Sequence, residues 1–149
     1  MFSSARRNGH ARPTYPMMRY PWANAQKGLR ALAEHTPRGE PVELDYVNPE
    51  TGDACLPTMG FTAMMLRPGA AVKPPLRSTS AVHHVVEGAG KSTVNGETFN
   101  WKHGDTFSAP VFALMEHKAV GKDPAFLIRV HDTPLQEKLN YYEERPRPQ

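Results

Sequence analysis

The chain has 149 residues, 39% of them apolar and 22% charged, with one cysteine and a formal net charge of +3. This is the size and balance of one folded domain with a buried core, and it excludes a disordered chain. The lone Cys55 excludes an internal disulfide framework and a paired-cysteine metal site, and no apolar run nears the roughly 18 residues of a membrane-spanning helix.

Residues 1–21 carry Arg6, Arg7, Arg12 and Arg19 and no acid, and read as an extended basic arm. The tail 145–149 adds Arg145 and Arg147, so the body 22–144 is left at −3. Positive charge confined to the ends does not make the basic folded face that a nucleic acid needs. Arg6-Arg7 is not followed by an apolar export segment, so a cytoplasmic location is expected, with no membrane partner. Segment 22–41 reads as a linker helix: Trp22, Ala25, Leu29 and Leu32 share one face, and Thr36-Pro37-Arg38-Gly39 ends it. Tyr20, Pro21 and Trp22 are expected to anchor this helix to the barrel or to a neighbour.

From 42 to 132, short β-prone runs alternate with turn signals. They are Val42–Val47, Gly60–Leu66, Val82–Val86, Lys91–Val94, Glu97–Trp101, Thr106–Ala109, Ala113–His117 and Ala125–Val130. Asn95-Gly96 between two such runs predicts a type I′ hairpin. Many short strands predict an all-β sandwich or barrel. Met64-Met65-Leu66 alternates faces, which leaves one side for a partner to cover. Thr133 as N-cap, Pro134 as first residue and Gln136 as capping-box partner predict a second helix over 133–144, with Leu135, Leu139 and Tyr142 as its apolar stripe.

The glycine and proline framework is informative. Pro68-Gly69 leads to Glu87-Gly88-Ala89-Gly90; then come Trp101-Lys102-His103-Gly104-Asp105-Thr106 and Pro110. This layout resembles the two motifs of the cupin family, and implies a single double-stranded β-helix (jelly-roll) barrel flanked by N- and C-terminal helices. Further stretches sharpen the likeness: Arg19-Tyr20-Pro21-Trp22, Tyr46 through Gly52, Leu66-Arg67-Pro68-Gly69, Phe99-Asn100-Trp101, Glu116-His117 and Asp132-Thr133-Pro134. In order and spacing they are similar to the C-terminal half of the gentisate, salicylate and hydroxynaphthoate dioxygenases, which are bicupins using Fe(II) on aromatic carboxylates.

That resemblance implies four metal-ligand positions. Counting from Gly69 places the histidine positions at Pro75 and Arg77 and the carboxylate position at Ala81; counting from Pro110 places the last histidine position at Met115. A guanidinium repels a cation, and a thioether suits copper(I) better than iron(II). No metal cofactor is therefore expected in this chain, and the resemblance implies a metal-free half. Strand parity points His83 and His117 inward and His84 outward, and leaves His103 exposed. The inward pair could be a displaced metal site or two hydrogen-bonded interior histidines, facing Glu116 or Arg77. Arg77, with His83 and His117, is a candidate to hold a small, aromatic carboxylate through its planar fork; otherwise it sits at the mouth in an ion pair.

Two functions follow as expectations. One is a dioxygenase-related cupin that is not catalytic alone and associates with another cupin domain or as a homodimer. The other is a metal-free cupin that binds a small carboxylate or serves as a structural module.

Overall fold

A computed structural model describes residues 19–148. The basic arm, through residue 18, lies outside the described residues. Helix α1 spans Trp22–His35, and ten strands follow: β1 (Val42–Asp45), β2 (Gly60–Leu66), β3 (Ala71–Val72), β4 (Leu76–Arg77), β5 (Ala81–Glu87), β6 (Ala89–Val94), β7 (Glu97–Lys102), β8 (Thr106–Ala109), β9 (Met115–Ala119) and β10 (Ala125–His131). Helix α2 (Thr133–Lys138) and a last strand, β11 (Glu144–Arg145), close the chain. A five-stranded sheet, β1-β2-β10-β5-β8, faces a four-stranded sheet, β3-β9-β6-β7, with every pair inside them antiparallel. This is the expected jelly-roll barrel with a helix at each end.

Period-two alternation sorts each strand into an inner and an outer face. Register places Met64 opposite Leu127, and Thr62 and His83 opposite Arg129. The inner face is therefore graded from floor to mouth. Met64, Leu66, Val72, Val85, Trp101, Ala119, Ala125 and Leu127 form an apolar floor. Gly90 lies here because the Trp101 ring and the Lys118 carbonyl occupy the place of a Cβ. Above the floor come His83 and His117, each 1% exposed, with Phe107; Arg129 and His131 lie nearest the mouth.

The outer face of β1, β2 and β10 is covered by α1. Leu29, Val42, Ala63, Met65 and Phe126 form one buried cluster there, with Trp22, Ala25 and Ala33 packed on it. Glu87 on β5 fixes the helix by accepting hydrogen bonds from Trp22 Nε1 (2.7 Å) and Gln26 Nε2 (2.8 Å). The cover expected over Met65 is thus the chain's own helix. Leu32 does not join that face; it is 37% exposed, and Ala33 packs in its place.

The hairpin at Asn95-Gly96 has positive φ at both residues, as type I′ requires. The second helix is shorter than expected. It runs Thr133–Lys138 rather than over 133–144, with Asp132 as N-cap and no side-chain capping bond. Its buried residues are Pro134 and Gln136, whereas Leu139 is 57% exposed. Gln136 is engaged with Ser78 instead of a capping box: its amide donates to the Ser78 carbonyl, and the Ser78 hydroxyl donates back to it. After Asn140, at φ 56°, the chain turns back so that β11 pairs with β4.

Removing the fully buried Leu29 side chain opens a cavity under α1, so Leu29→Ala should cost about 2–5 kcal/mol. Leu32→Ala, on the exposed flank, should stay within about 0.5 kcal/mol. Urea denaturation of both variants checks the contrast; equal losses would mean that α1 packs on another face.

Candidate ligand site at the barrel mouth

Two polar layers lie inside the barrel, and they differ in chemistry. The deeper one is closed. Trp101 Nε1 donates to Ser92 Oγ (2.8 Å), and Ser92 Oγ lies 2.7 Å from His117 Nδ1. His117 Nε2 and His83 Nδ1 are both buried without a hydrogen-bond partner among the described residues. His83 stacks on Phe107 at 4.9 Å and 6°, and its centroid is 5.3 Å from that of His117. Burial pushes both imidazoles down, His83 well below its ordinary range and His117 to about 4; Arg129 adds to both shifts, as does His117 to that of His83. Both are neutral at neutral pH. The partner of His117 is Ser92, not Glu116 or Arg77. His84 and His103 are exposed as parity and turn position suggested; they meet Thr106 Oγ1 and the Val86 carbonyl.

The outer layer is charged. Arg129 Nη1 donates to Glu43 Oε1 (3.2 Å), and its Nη2 reaches Glu43 Oε2 and Thr62 Oγ1. Thr62 donates its one proton to Asp45 Oδ1 (2.6 Å), so its oxygen can only accept from Arg129 and from His131 Nε2 (3.0 Å). His131 therefore carries its proton on Nε2, with Nδ1 as a bare acceptor. Burial and the charge of Arg129 push its pKa to about 4. Arg129 Nε and His131 Nδ1 are both buried without a hydrogen-bond partner among the described residues. Strand β4 sets Arg77 at the rim, where its Nε donates to Glu144 Oε1 (2.8 Å).

These groups surround one cavity of about 20 Å³, room for a single water. Arg77, Ala81 and Met115 line it, with Arg129, His131 and Thr79. Three of the four counted ligand positions thus meet at one place, while Pro75 stands off its wall. Of the three residues predicted to hold a carboxylate, only Arg77 lines this cavity; His83 and His117 lie in the deeper layer. Arg129 and His131 replace them. Sequence reasoning missed both, although each shares the inward parity of Leu127 on β10.

The donor set does not fit iron(II). Arg77 is a cation, Ala81 has no donor, and Met115 offers a soft sulfur. His131 and the Arg129 guanidinium meet the same Thr62 hydroxyl, so a cation there would face a positive charge. Among the described residues no three His, Cys, Asp or Glu side chains gather as a metal-holding group. A larger apolar groove of about 370 Å³ lies on the outer surface, lined by Tyr20, Tyr46, Cys55, Leu56, Phe61 and Ile128; no charged side chain lines it.

No protein-family model matches the chain. Curated relatives do. The chain is 39% identical over 132 residues to a gentisate 1,2-dioxygenase of a Ralstonia species, covering 88% of this chain and 37% of that protein. It is 32% identical to a 1-hydroxy-2-naphthoate 1,2-dioxygenase of Nocardioides sp. (strain KP7), covering 87% and 34%. The crystal structure of salicylate 1,2-dioxygenase from Pseudoaminobacter salicylatoxidans superposes with a TM-score of 0.77 at 29% identity, covering 87% of this chain and 37% of that one. No helix among the described residues is long and apolar enough to cross a membrane. The chain spans little more than a third of the length of these relatives, and it is a cupin barrel homologous to that part of the gentisate, salicylate and hydroxynaphthoate ring-cleaving dioxygenases.

Proposed function

We propose that this barrel is an iron-free cupin unit of the ring-cleaving dioxygenase type, which does not cleave rings alone and works by associating with another cupin. One observation carries the reading. Arg77, Ala81 and Met115 converge at the mouth, and with Arg129 they put two guanidiniums where a divalent cation would have to sit. Each guanidinium already holds a carboxylate, Glu144 for Arg77 and Glu43 for Arg129, so the acids nearby are committed to cancelling arginine charge. The residues therefore fill and brace the barrel.

Association is supported by what α1 leaves bare. The helix covers the outer face of β1, β2 and β10 but not the β5 and β8 side. There Val82, 44% exposed, lies beside Val130 on the neighbouring strand. A second barrel docked on this uncovered sheet face would bury Val82. The same face serves a second copy or an iron-bearing cupin.

Elemental analysis of protein purified without chelator, with and without added iron(II), should find metal far below one per chain. Oxygen uptake with gentisate, salicylate or hydroxynaphthoate should match the blank. Stoichiometric iron that disappears in a His83→Ala, His117→Ala double variant would overturn the reading. Light scattering at tens of micromolar should give twice the 16.6 kDa chain mass; a monomer would leave a separate cupin as the partner.

The deep histidines carry a pH signature if they are packing groups. The unfolded chain takes up protons near pH 6.5, whereas folded His117 resists until about 4. Stability should be full above about pH 6.5 and fall between there and about pH 4, by roughly 3 kcal/mol for His117. Denaturation midpoints at several pH values test this. His117→Gln should flatten the slope, and an unchanged slope would assign the acid sensitivity elsewhere.

A further inference from the structure

Strand β8 is an open edge of the five-stranded sheet: it pairs with β5 on one side and, among the described residues, with no strand on the other. The bulge before it shows which backbone groups face the open side. Val85 N donates to the Asp105 carbonyl and Gly104 N to the Val85 carbonyl, both at 2.9 Å, so Val85 turns both its groups toward β8. Period two repeats this at His83, opposite Phe107, and at Ala81, opposite Ala109. Phe107 therefore aims its N–H and carbonyl at β5, while Thr106 and Ser108 aim theirs outward. Both residues are exposed, and none of these outward groups has a hydrogen-bond partner among the described residues. Strand β7 does not cover them; a cleft of about 380 Å³, with Val94, Phe99, Ser108 and Pro110 in its lining, lies between the two edges. The other free edges carry charge, the usual guard against pairing. Strand β1 has Glu43 and Asp45, β7 has Glu97 and Lys102, and β3 runs into Lys73 and Pro74. Strand β8 has no charged residue, and its outer-face neighbours on β5 are Val82 and His84.

We propose that β8 is the edge to which a second copy of this chain adds its own β8, antiparallel about a two-fold axis at Phe107, so that the two five-stranded sheets become one. The open groups fix the register. Thr106 faces the partner's Ser108 and Ser108 the partner's Thr106, and each pair exchanges both its N–H···O bonds. Sliding the strands by two residues one way brings in Pro110, which has no N–H to give. Sliding them the other way brings in Gly104, whose N–H is already given to Val85. Charge selects a copy of this chain as the occupant. A two-fold contact sets a surface against itself, and around β8 that brings no like charges together. The outer face of the four-stranded sheet is the contrast: Lys91 lies opposite Lys118 in register, with Lys102 on the strand at its other side, so a copy there would set lysine against lysine.

This inference rests on the association proposed above and gives its copy-to-copy form a contact. The two contacts are separable, because Val82 lies one strand in from the edge, on the outer face, where an edge-to-edge copy leaves it uncovered. The test uses the full chain, labelled with 15N, over a dilution series followed by light scattering. Amide hydrogen exchange at Thr106 and Ser108 should slow as the dimer forms, whereas Phe107, bonded inside the barrel, should not change. Ser108→Lys puts a guarding charge on the edge and should raise the dimer dissociation constant roughly tenfold, with the circular dichroism spectrum unchanged. Adding Thr106→Glu sets opposite charges across the axis at both symmetric positions, and should return the dissociation constant to within about threefold of the parent. Exchange at Thr106 and Ser108 that ignores concentration, or a Ser108→Lys variant that dimerises like the parent, would overturn the edge. Failure of Thr106→Glu to rescue would refute the register about Phe107. A monomer at every concentration would overturn this inference and leave a separate cupin to carry the association. A dimer lost with Val82→Asn but kept with Ser108→Lys would place the association on the outer face and overturn this contact alone.

Discussion

Arg129 is a guanidinium held inside a barrel, and the mouth is organised around it. Placing such a charge away from water costs several kcal/mol unless it is paired and hydrogen-bonded. The chain meets that cost across three neighbouring strands. Glu43 comes from β1, Thr62 from β2 and Arg129 from β10, all with inward parity and in register. Asp45 then receives the Thr62 proton, and that choice sets which nitrogen of His131 bears hydrogen. A chain of proton positions thus runs from one buried ion pair to the edge of the cavity.

The same charge separates the two polar layers. Below Arg129, imidazoles are kept neutral by burial and by its positive field, and they pack as flat groups against Phe107. Above it, polar groups remain solvated or paired, and β11 brings a carboxylate to the second guanidinium. A homologous barrel built to hold iron needs lone pairs converging at this height. Here the converging groups are a cation, a methyl and a thioether. Such a set presents positive charge where a metal site needs lone pairs.

The helix and the C-terminal strap around β11 show how a short chain closes a barrel at both weak points. Helix α1 shields the outer face of three strands and is pinned at one end by Glu87, a residue of β5 that accepts from both Trp22 and Gln26. The strap shields the rim, and its hydrogen bonds are mostly to backbone carbonyls and to Ser78 rather than to apolar surface. Apolar burial holds the first cover, and polar contacts hold the second.

By itself the sequence determined the elements that rest on local rules. Strand spans such as Gly60–Leu66 and Thr106–Ala109, the Asn95-Gly96 turn and the inward parity of His83 and His117 follow from alternation and turn chemistry within a few residues. The order of glycines and prolines was enough to indicate a cupin, and of the four positions counted from them three, Arg77, Ala81 and Met115, line the mouth cavity while Pro75 does not. Only the tertiary structure decided the partners. Ser92 meets His117 from 25 residues away, and Glu43 meets Arg129 from 86. Residues 139–144 look like the continuation of a helix locally. They leave it because pairing with β4 and a carboxylate for Arg77 are available only once the barrel has closed. Local periodicity specifies which way a side chain points; what it meets there depends on strand pairing far along the chain, which no short window contains.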